Sequence, residues 1–228
     1  NKGYRHTPLR AGESYTGPAV AQHTANGGGG SGNAHQCGYS SGYTYYQTVG
    51  GGGSYGTQGS VYSYSGTQVG GSGEAGSVYG SADLAKWFLG SAGGTTTYQR
   101  CYRGRYASSR SQWSGGNGGG ALVLWSNGLS VRGNVRARNT GGNLGGSGGS
   151  IFLRARSMNV GNNRVLATAS NRGGNGRIRL DFFGLSGTTS PAFHPGFAGD
   201  TVVQTSDLSG VGNPVASVTL RQTLEDRR

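Results

Sequence analysis

Hydrophobic and polar residues alternate strictly in one part of the chain, from Ala121 to Phe182. Leu122 and Leu124 share a face, as do Leu129 and Val131, then Val135 and Ala137. The pattern returns with Ile151, Leu153 and Ala155, then Met158 and Val160, then Val165, Ala167 and Ala169. It returns again with Ile178, Leu180 and Phe182. A period of two belongs to β-strands, whose successive side chains point to opposite faces. Each return follows a glycine signal: Gly118-Gly119-Gly120, Gly148-Gly149 and Asn175-Gly176. Leu122 to Ile151 spans 29 residues and Ile151 to Ile178 spans 27, by difference of their numbers. A punctuated unit of near-constant length predicts the coils of a solenoid. Stacked at the ~4.8 Å spacing of paired strands, such coils make a parallel β-helix. Leu122, Ile151 and Ile178 are then expected at equivalent inward sites, one above another. Turns at Ser126-Asn127-Gly128, Gly133-Asn134 and Gly161-Asn162-Asn163 would divide each coil into two or three short strands.

The rest of the chain reads differently. Residues 1–36 are irregular, broken by Pro8, Pro18 and the run Gly27-Gly28-Gly29-Gly30. Residues 37–81 are polar and glycine-rich, with Tyr39, Tyr43, Tyr45, Tyr46, Tyr55, Tyr62, Tyr64 and Tyr79 spaced along them. Ser81 to Leu89 resembles a helical turn, capped by Ser81 and stopped by Gly90. After Phe183 the alternation lapses among Pro191, Pro195 and Pro214, and Ala216 to Arg221 is strand-like. The expected organisation is a Gly/Tyr-rich, loop-dominated region at 1–114 packed on the solenoid. Coils of about 27–29 residues fill 115–185, and a C-terminal loop with strands follows at 186–228. Val218 and Leu220 would lie on a terminal strand able to cap the solenoid or pair with a neighbour. The fold class is all-β: a glycine-rich parallel β-helix with a Gly/Tyr-rich insertion and very little helix.

Composition sharpens this picture. Glycine is 49 of 228 residues, without the every-third-residue period of collagen. Hydrophobic residues at 32% and charged residues at 12% are both low for a globular domain. So the core is expected where the apolar residues concentrate, in the repeats. The formal charge is +12, carried almost wholly by arginine. Arginine suits bidentate contact with planar anions and stacking on rings, so an anionic partner such as a polysaccharide fits. Arg136, Arg138, Arg154, Arg156, Arg177 and Arg179 flank inward residues of the repeats and would stack partly into a ladder. Like charges at that spacing repel, and eight carboxylate side chains are too few to neutralise the ladder from within. The ladder is therefore expected to face an anionic polymer or another subunit.

Catalytic signals are weak. Asp181, Asp200 and Asp207 form the one candidate acidic cluster for a polysaccharide lyase or glycosidase, and loop aspartates more often make turns. His23, His35 and Cys37 lack a second ligand pair at metal-binding spacing. No glycine run is followed by Gly-Lys-Ser/Thr, which excludes a phosphate loop. Arg100 to Arg110 among Tyr102, Tyr106 and Trp113 fits arginine–tyrosine stacking better than a nucleic-acid patch, so nucleic acid is disfavoured as a partner. Cys37 and Cys101 allow one disulfide. No apolar run reaches the ~18 residues of a membrane span. Asn1-Lys2-Gly3-Tyr4 has no secretory h-region, so the start reads as a processed end.

The glycine runs leading into Ala121-Leu122-Val123-Leu124, Ser150-Ile151-Phe152-Leu153 and Arg177-Ile178 resemble the glycine-rich β-helix repeats of bacterial secreted and cell-surface proteins. Gly3-Tyr4-Arg5, and Val78-Tyr79-Gly80-Ser81-Ala82-Asp83-Leu84 ending in Phe88-Leu89-Gly90, are similar to further features of that class. The likeness covers residues 3–5 and 78–185. It implies an extracellular or surface location and an adhesive or structural role, without a catalytic chemistry. Tyrosine, glutamine and arginine stand here where the class carries more glycine, which suits a filament subunit with adhesive aromatic faces. The expectation is a non-enzymatic, self-assembling subunit of a filament, fibre or surface layer, with no metal or cofactor. Its assembly contacts would be the tyrosines from Tyr39 to Tyr79. The alternatives are a carbohydrate-binding adhesin or phage-tail-like receptor-binding protein, and then a polysaccharide-degrading β-helix enzyme.

Overall fold

Strands form where the alternation is strict. The computed structural model describes residues 12–17, 25–31, 43–48, 50–61, 73–102, 105–139, 141 and 144–196, with backbone alone for 43–48, 96–102 and 105–113. The described residues form eight strands: β1 Tyr43–Thr48, β2 Thr96–Tyr102, β3 Arg105–Trp113, β4 Ala121–Ser130, β5 Val135–Arg136, β6 Ser150–Leu166, β7 Arg177–Ser190 and β8 His194–Pro195. The described residues are all-β, and no helix among them is long and apolar enough to cross a membrane. Ser81 to Leu89 is not helical. Leu84 N–H closes a turn on the Ser81 carbonyl and Leu84 takes a φ of 52°, a left-handed value that a helix cannot continue through.

β6 is the centre of a parallel sheet ordered β4-β6-β7-β8, with β5 also paired to β6. The register sets Leu122 on Ile151 on Ile178, and Leu124 on Leu153 on Leu180. The strands of the three repeats therefore align in register within one parallel sheet. Ile151, Leu153, Ala155, Met158, Val160, Val165 and Ala167 bury one face with Ile178, Leu180, Phe182 and Ala137. Burying a side chain such as Leu153 stabilises the fold by about 1.5–3 kcal/mol. The length mismatch between β6, 17 residues, and β7, 14 residues, is absorbed by bulges between Asn159 and Gly161 and between Asn162 and Val165. The turn expected at Ser126-Asn127-Gly128 is absent, because β4 runs straight through it. At Gly161-Asn162-Asn163 the chain bulges without leaving the strand. β7 continues to Ser190, past the end expected for the coils.

The glycine runs are structural elements in their own right. Gly90 and Gly93 donate to the carbonyls of Gly119 and Gly116; Gly116 and Gly119 donate to Leu144 and Ser147; Gly145 and Gly148 donate to Asn171 and Gly174. Bonds to one neighbour thus recur every third residue, the repeat of a polyproline II helix, which has no internal hydrogen bonds and must find partners elsewhere. Residues 50–54 are enclosed in this way. Gly51, Gly53 and Ser54 donate to Ser31, Gly145 and Gly28, while the carbonyls of Gly51, Gly53 and Gly52 accept from Gly94, Gly174 and Gly76. Such close approach requires the missing side chain: a Cβ on Gly94 would lie 1.6 Å from the Ser31 oxygen, and one on Gly51 1.7 Å from the Glu74 oxygen. The segments 115–120, 144–149 and 173–176 of this lattice lead into β4, β6 and β7, so the lattice and the sheet share one stacking direction.

A second sheet, β1-β2-β3, is antiparallel, with Tyr43 opposite Tyr102 and Thr96 opposite Trp113. It arises from stretches that read as polar low complexity. Their threonines and aromatic residues are strong strand formers when paired.

Candidate binding surface on the outward sheet face

The outward face of the parallel sheet is built from three register lines. Ala121, Ser150 and Arg177 form the first; Val123, Phe152 and Arg179 the second; Trp125, Arg154 and Asp181 the third. No line sets arginine on arginine, so the expected ladder is not formed. The strand-to-strand offset alternates the arginines with aromatic, hydroxyl and carboxylate groups, which removes the like-charge repulsion at its source.

The first two lines are covered by the segment 79–89. Tyr55, Tyr79 and Leu84 are buried there with Phe152, and Phe88 and Val123 pack against them. Tyr15 and Tyr79 have ring centroids 4.4 Å apart, and Tyr79 and Tyr55 4.7 Å, with Phe88 edge-on to Tyr15 and Tyr79. The polar tips are satisfied. Tyr55 OH bonds Ser150 Oγ at 2.8 Å, Ser150 Oγ donates to the Phe88 carbonyl, and Tyr79 OH donates to the Leu89 carbonyl. Burial raises the Tyr55 pKa above its ordinary value, against the opposing effects of the Ser150 hydrogen bond and the Arg177 charge. The Asp83 carboxyl is held below its usual range by hydrogen bonds from the Ser81 hydroxyl and the Ala85 N–H.

Two of the expected partner-binding arginines are spent inside the molecule. Arg177 donates to the Tyr79 and Gly80 carbonyls and lies 5.4 Å over the Tyr55 ring. Arg179 forks onto Asp181, 2.8 Å from Nε to Oδ1 and 3.1 Å from Nη2 to Oδ2. It also donates to the Asp83 carbonyl and sits 4.8 Å over Phe152. Both therefore clip the covering segment to the sheet. Asp181, the candidate catalytic carboxylate, is 3% exposed and fully engaged by Arg179. Asp200 and Asp207 lie outside the described residues.

The third line stays open at Trp125 and Arg154. Trp125 is 66% exposed and Arg154 is exposed beside it, where an open hollow of about 440 Å³ is lined by Trp125, Ser126, Asn127 and Arg154. Trp87 and Trp125 each meet Phe152 edge-on, with ring centroids 5.9 and 6.4 Å away. Arg154 and Arg156 share the outward side of β6, while Ala155 between them is buried. Among the described residues neither arginine has a hydrogen bond or ion pair. Arg136, paired with Leu166 on the other limb of the sheet, and Arg138 are exposed as well.

The expected assembly tyrosines divide. Tyr55 and Tyr79 are core residues, not surface contacts, because the segment carrying them folds back over Phe152. Tyr43, Tyr45 and Tyr46 lie on β1, and Cys101 on β2, with backbone alone described. Tyr39, Tyr62, Tyr64, Cys37, Val218 and Leu220 lie outside the described residues. Sequence reasoning missed Trp125 and Trp87, whose signal was available: each is a large ring at a position the alternation assigns to an outward or loop site. No family model matches the chain, and neither a curated protein nor a solved structure does.

Proposed function

We propose that the protein is a non-catalytic, self-assembling structural subunit of an extracellular filament, fibre or surface layer, built on a short solenoid of parallel rungs. The observation that carries this reading is the state of the first rung. Leu122 and Leu124 stand in line with the buried Ile151 and Leu153, yet are 39% and 41% exposed. Among the described residues, no strand pairs with the free edge of β4. At the opposite end β8 covers β7 at Arg179 and Leu180. Two unlike ends favour head-to-tail addition of copies, a heterologous contact that extends without closing. Unpaired strand edges supply the backbone hydrogen bonds for it. The solenoid reading draws support from the return of each coil: Gly149 donates to the Ala137 carbonyl and Gly176 to the Ala167 carbonyl, both at 2.7 Å.

Electron microscopy and sedimentation of the full chain test the proposal. Filaments or large open oligomers are expected from the native sequence, and a species of single-chain size from Leu122→Lys with Leu124→Lys at unchanged melting temperature. Native protein that stays monomeric at all concentrations overturns it.

A further inference from the structure

We infer that the hollow beside Trp125 is a binding site for a carboxylate-bearing polysaccharide, with Arg154 and Arg156 as its charge-recognising groups. The inference is independent of polymer formation. Its starting point is an imbalance of charge created by the register. Arg154 stands in line with Asp181, the carboxylate it would otherwise pair with, but Arg179 occupies both oxygens of that group. Asp83, the acid on the covering segment, is hydrogen-bonded to Ser81 and the Ala85 N–H. Among the described residues, Arg154 and Arg156 are left exposed and unpaired on one side of β6. A guanidinium fork matches a planar carboxylate in two parallel hydrogen bonds, so the complementary ligand is a carboxylate anion.

The neighbouring groups say what carries that carboxylate. Trp125 presents a large exposed ring, fixed edge-on by Phe152, which offers a flat apolar platform to the C–H face of a pyranose. Ser126 and Asn127 line the same hollow with a hydroxyl and an amide. Neutral donors and acceptors suit ring hydroxyls, whereas a nucleic acid would be met by further cations along a backbone track. The hollow is open rather than enclosed, which admits an internal stretch of a long chain. The formal charge of +12 adds long-range attraction for a polyanion.

The test is binding of the full chain to polygalacturonate, read by tryptophan fluorescence and by calorimetry, with dextran and a single-stranded DNA oligonucleotide as comparators. The expected result is polygalacturonate binding that weakens with salt, with dextran and DNA at least tenfold weaker. Trp125→Ala and Arg154→Ala should each lower affinity at least tenfold without changing the melting temperature. Arg154→Lys should restore some of it, and Arg138→Ala, on the other limb, should have little effect. Equal binding of dextran, tighter binding of DNA, equal loss from Arg138→Ala and Arg154→Ala, or no binding of polygalacturonate would each overturn the inference.

Discussion

At the scale of single residues, the glycines that matter are those whose hydrogen atoms face a neighbouring carbonyl. A methyl group on Gly94 has no room, since its Cβ would sit 1.6 Å from one backbone oxygen and no flexible side chain can yield. Gly128 has nothing within 4 Å of its Cβ position. Gly94→Ala is therefore expected to destabilise by at least the ~1–3 kcal/mol typical of overpacking. Gly128→Ala should be near neutral, and denaturant unfolding of the two variants checks the contrast. Tyr55 gives a pH dependence with a definite sign. Its folded pKa lies above the ordinary value because burial disfavours the phenolate. Above about pH 10 the unfolded chain loses a proton that the folded chain keeps, so stability falls as pH rises through that window. The melting temperature should fall as pH rises above about 10, and Tyr55→Phe should flatten that slope while starting lower for want of the Ser150 hydrogen bond. An equally steep slope in the variant would assign the effect elsewhere.

At the scale of elements, the segment 79–89 and the sheet hold each other through Arg177 and Arg179. The Arg179–Asp181 pair is largely buried, with side-chain exposures of 23% and 4%, so its formation adds little net stability while its rupture is costly. Arg179→Met leaves Asp181 buried without a partner and is expected to cost about 3 kcal/mol. The loss should show first as faster hydrogen exchange of the amides between Ser81 and Leu89; uniform acceleration across β6 would mean that the segment is not a separate cooperative unit. This scale also shows what the sequence conveyed. The rungs were legible because inward positions of β4, β6 and β7 repeat in both period and spacing, and Leu122, Ile151 and Ile178 do fall in line. The glycine lattice was not, since its order lies in backbone bonds between distant segments that leave no side-chain period. The fate of the arginines was equally hidden. Alternation tells which face Arg177 and Arg179 occupy, but not that Tyr79, Gly80 and Asp83 carbonyls will descend on that face. Trp125 escaped notice for the complementary reason: its exposure depends on where that covering segment ends, whereas Arg154 was already among the arginines expected to face an anionic partner.

At the scale of the whole molecule, the sheet and the glycine lattice share a stacking direction, and this makes polymer geometry measurable. Gly116 and Gly119 donate to Leu144 and Ser147 as β4 pairs with β6, and Gly145 and Gly148 donate to Asn171 and Gly174 as β6 pairs with β7. Each strand is therefore continuous with one glycine segment; the first glycine segment is bonded by Gly90 and Gly93, whereas the outer edge of β4 has no strand partner among the described residues. If a second copy adds at the β4 edge, its rungs continue the series, with strands perpendicular to the polymer axis. Fibre diffraction from aligned material should then show a meridional reflection at about 4.8 Å, the spacing of paired strands. The double variant Leu122→Lys with Leu124→Lys should abolish both the polymer and the reflection. Copies that instead pack side by side through exposed rings such as Trp87, 49% exposed, would give polymers whose strand spacing is not aligned with the axis. In that case Trp87→Ala, and not the β4 variant, would dissolve the assembly. The two arrangements bury different surfaces and leave the Arg154 shelf in different states. Axial stacking keeps the outward face free along the whole filament and repeats the shelf once per subunit, so a polyanion spanning several shelves would bind the filament more tightly than the single chain.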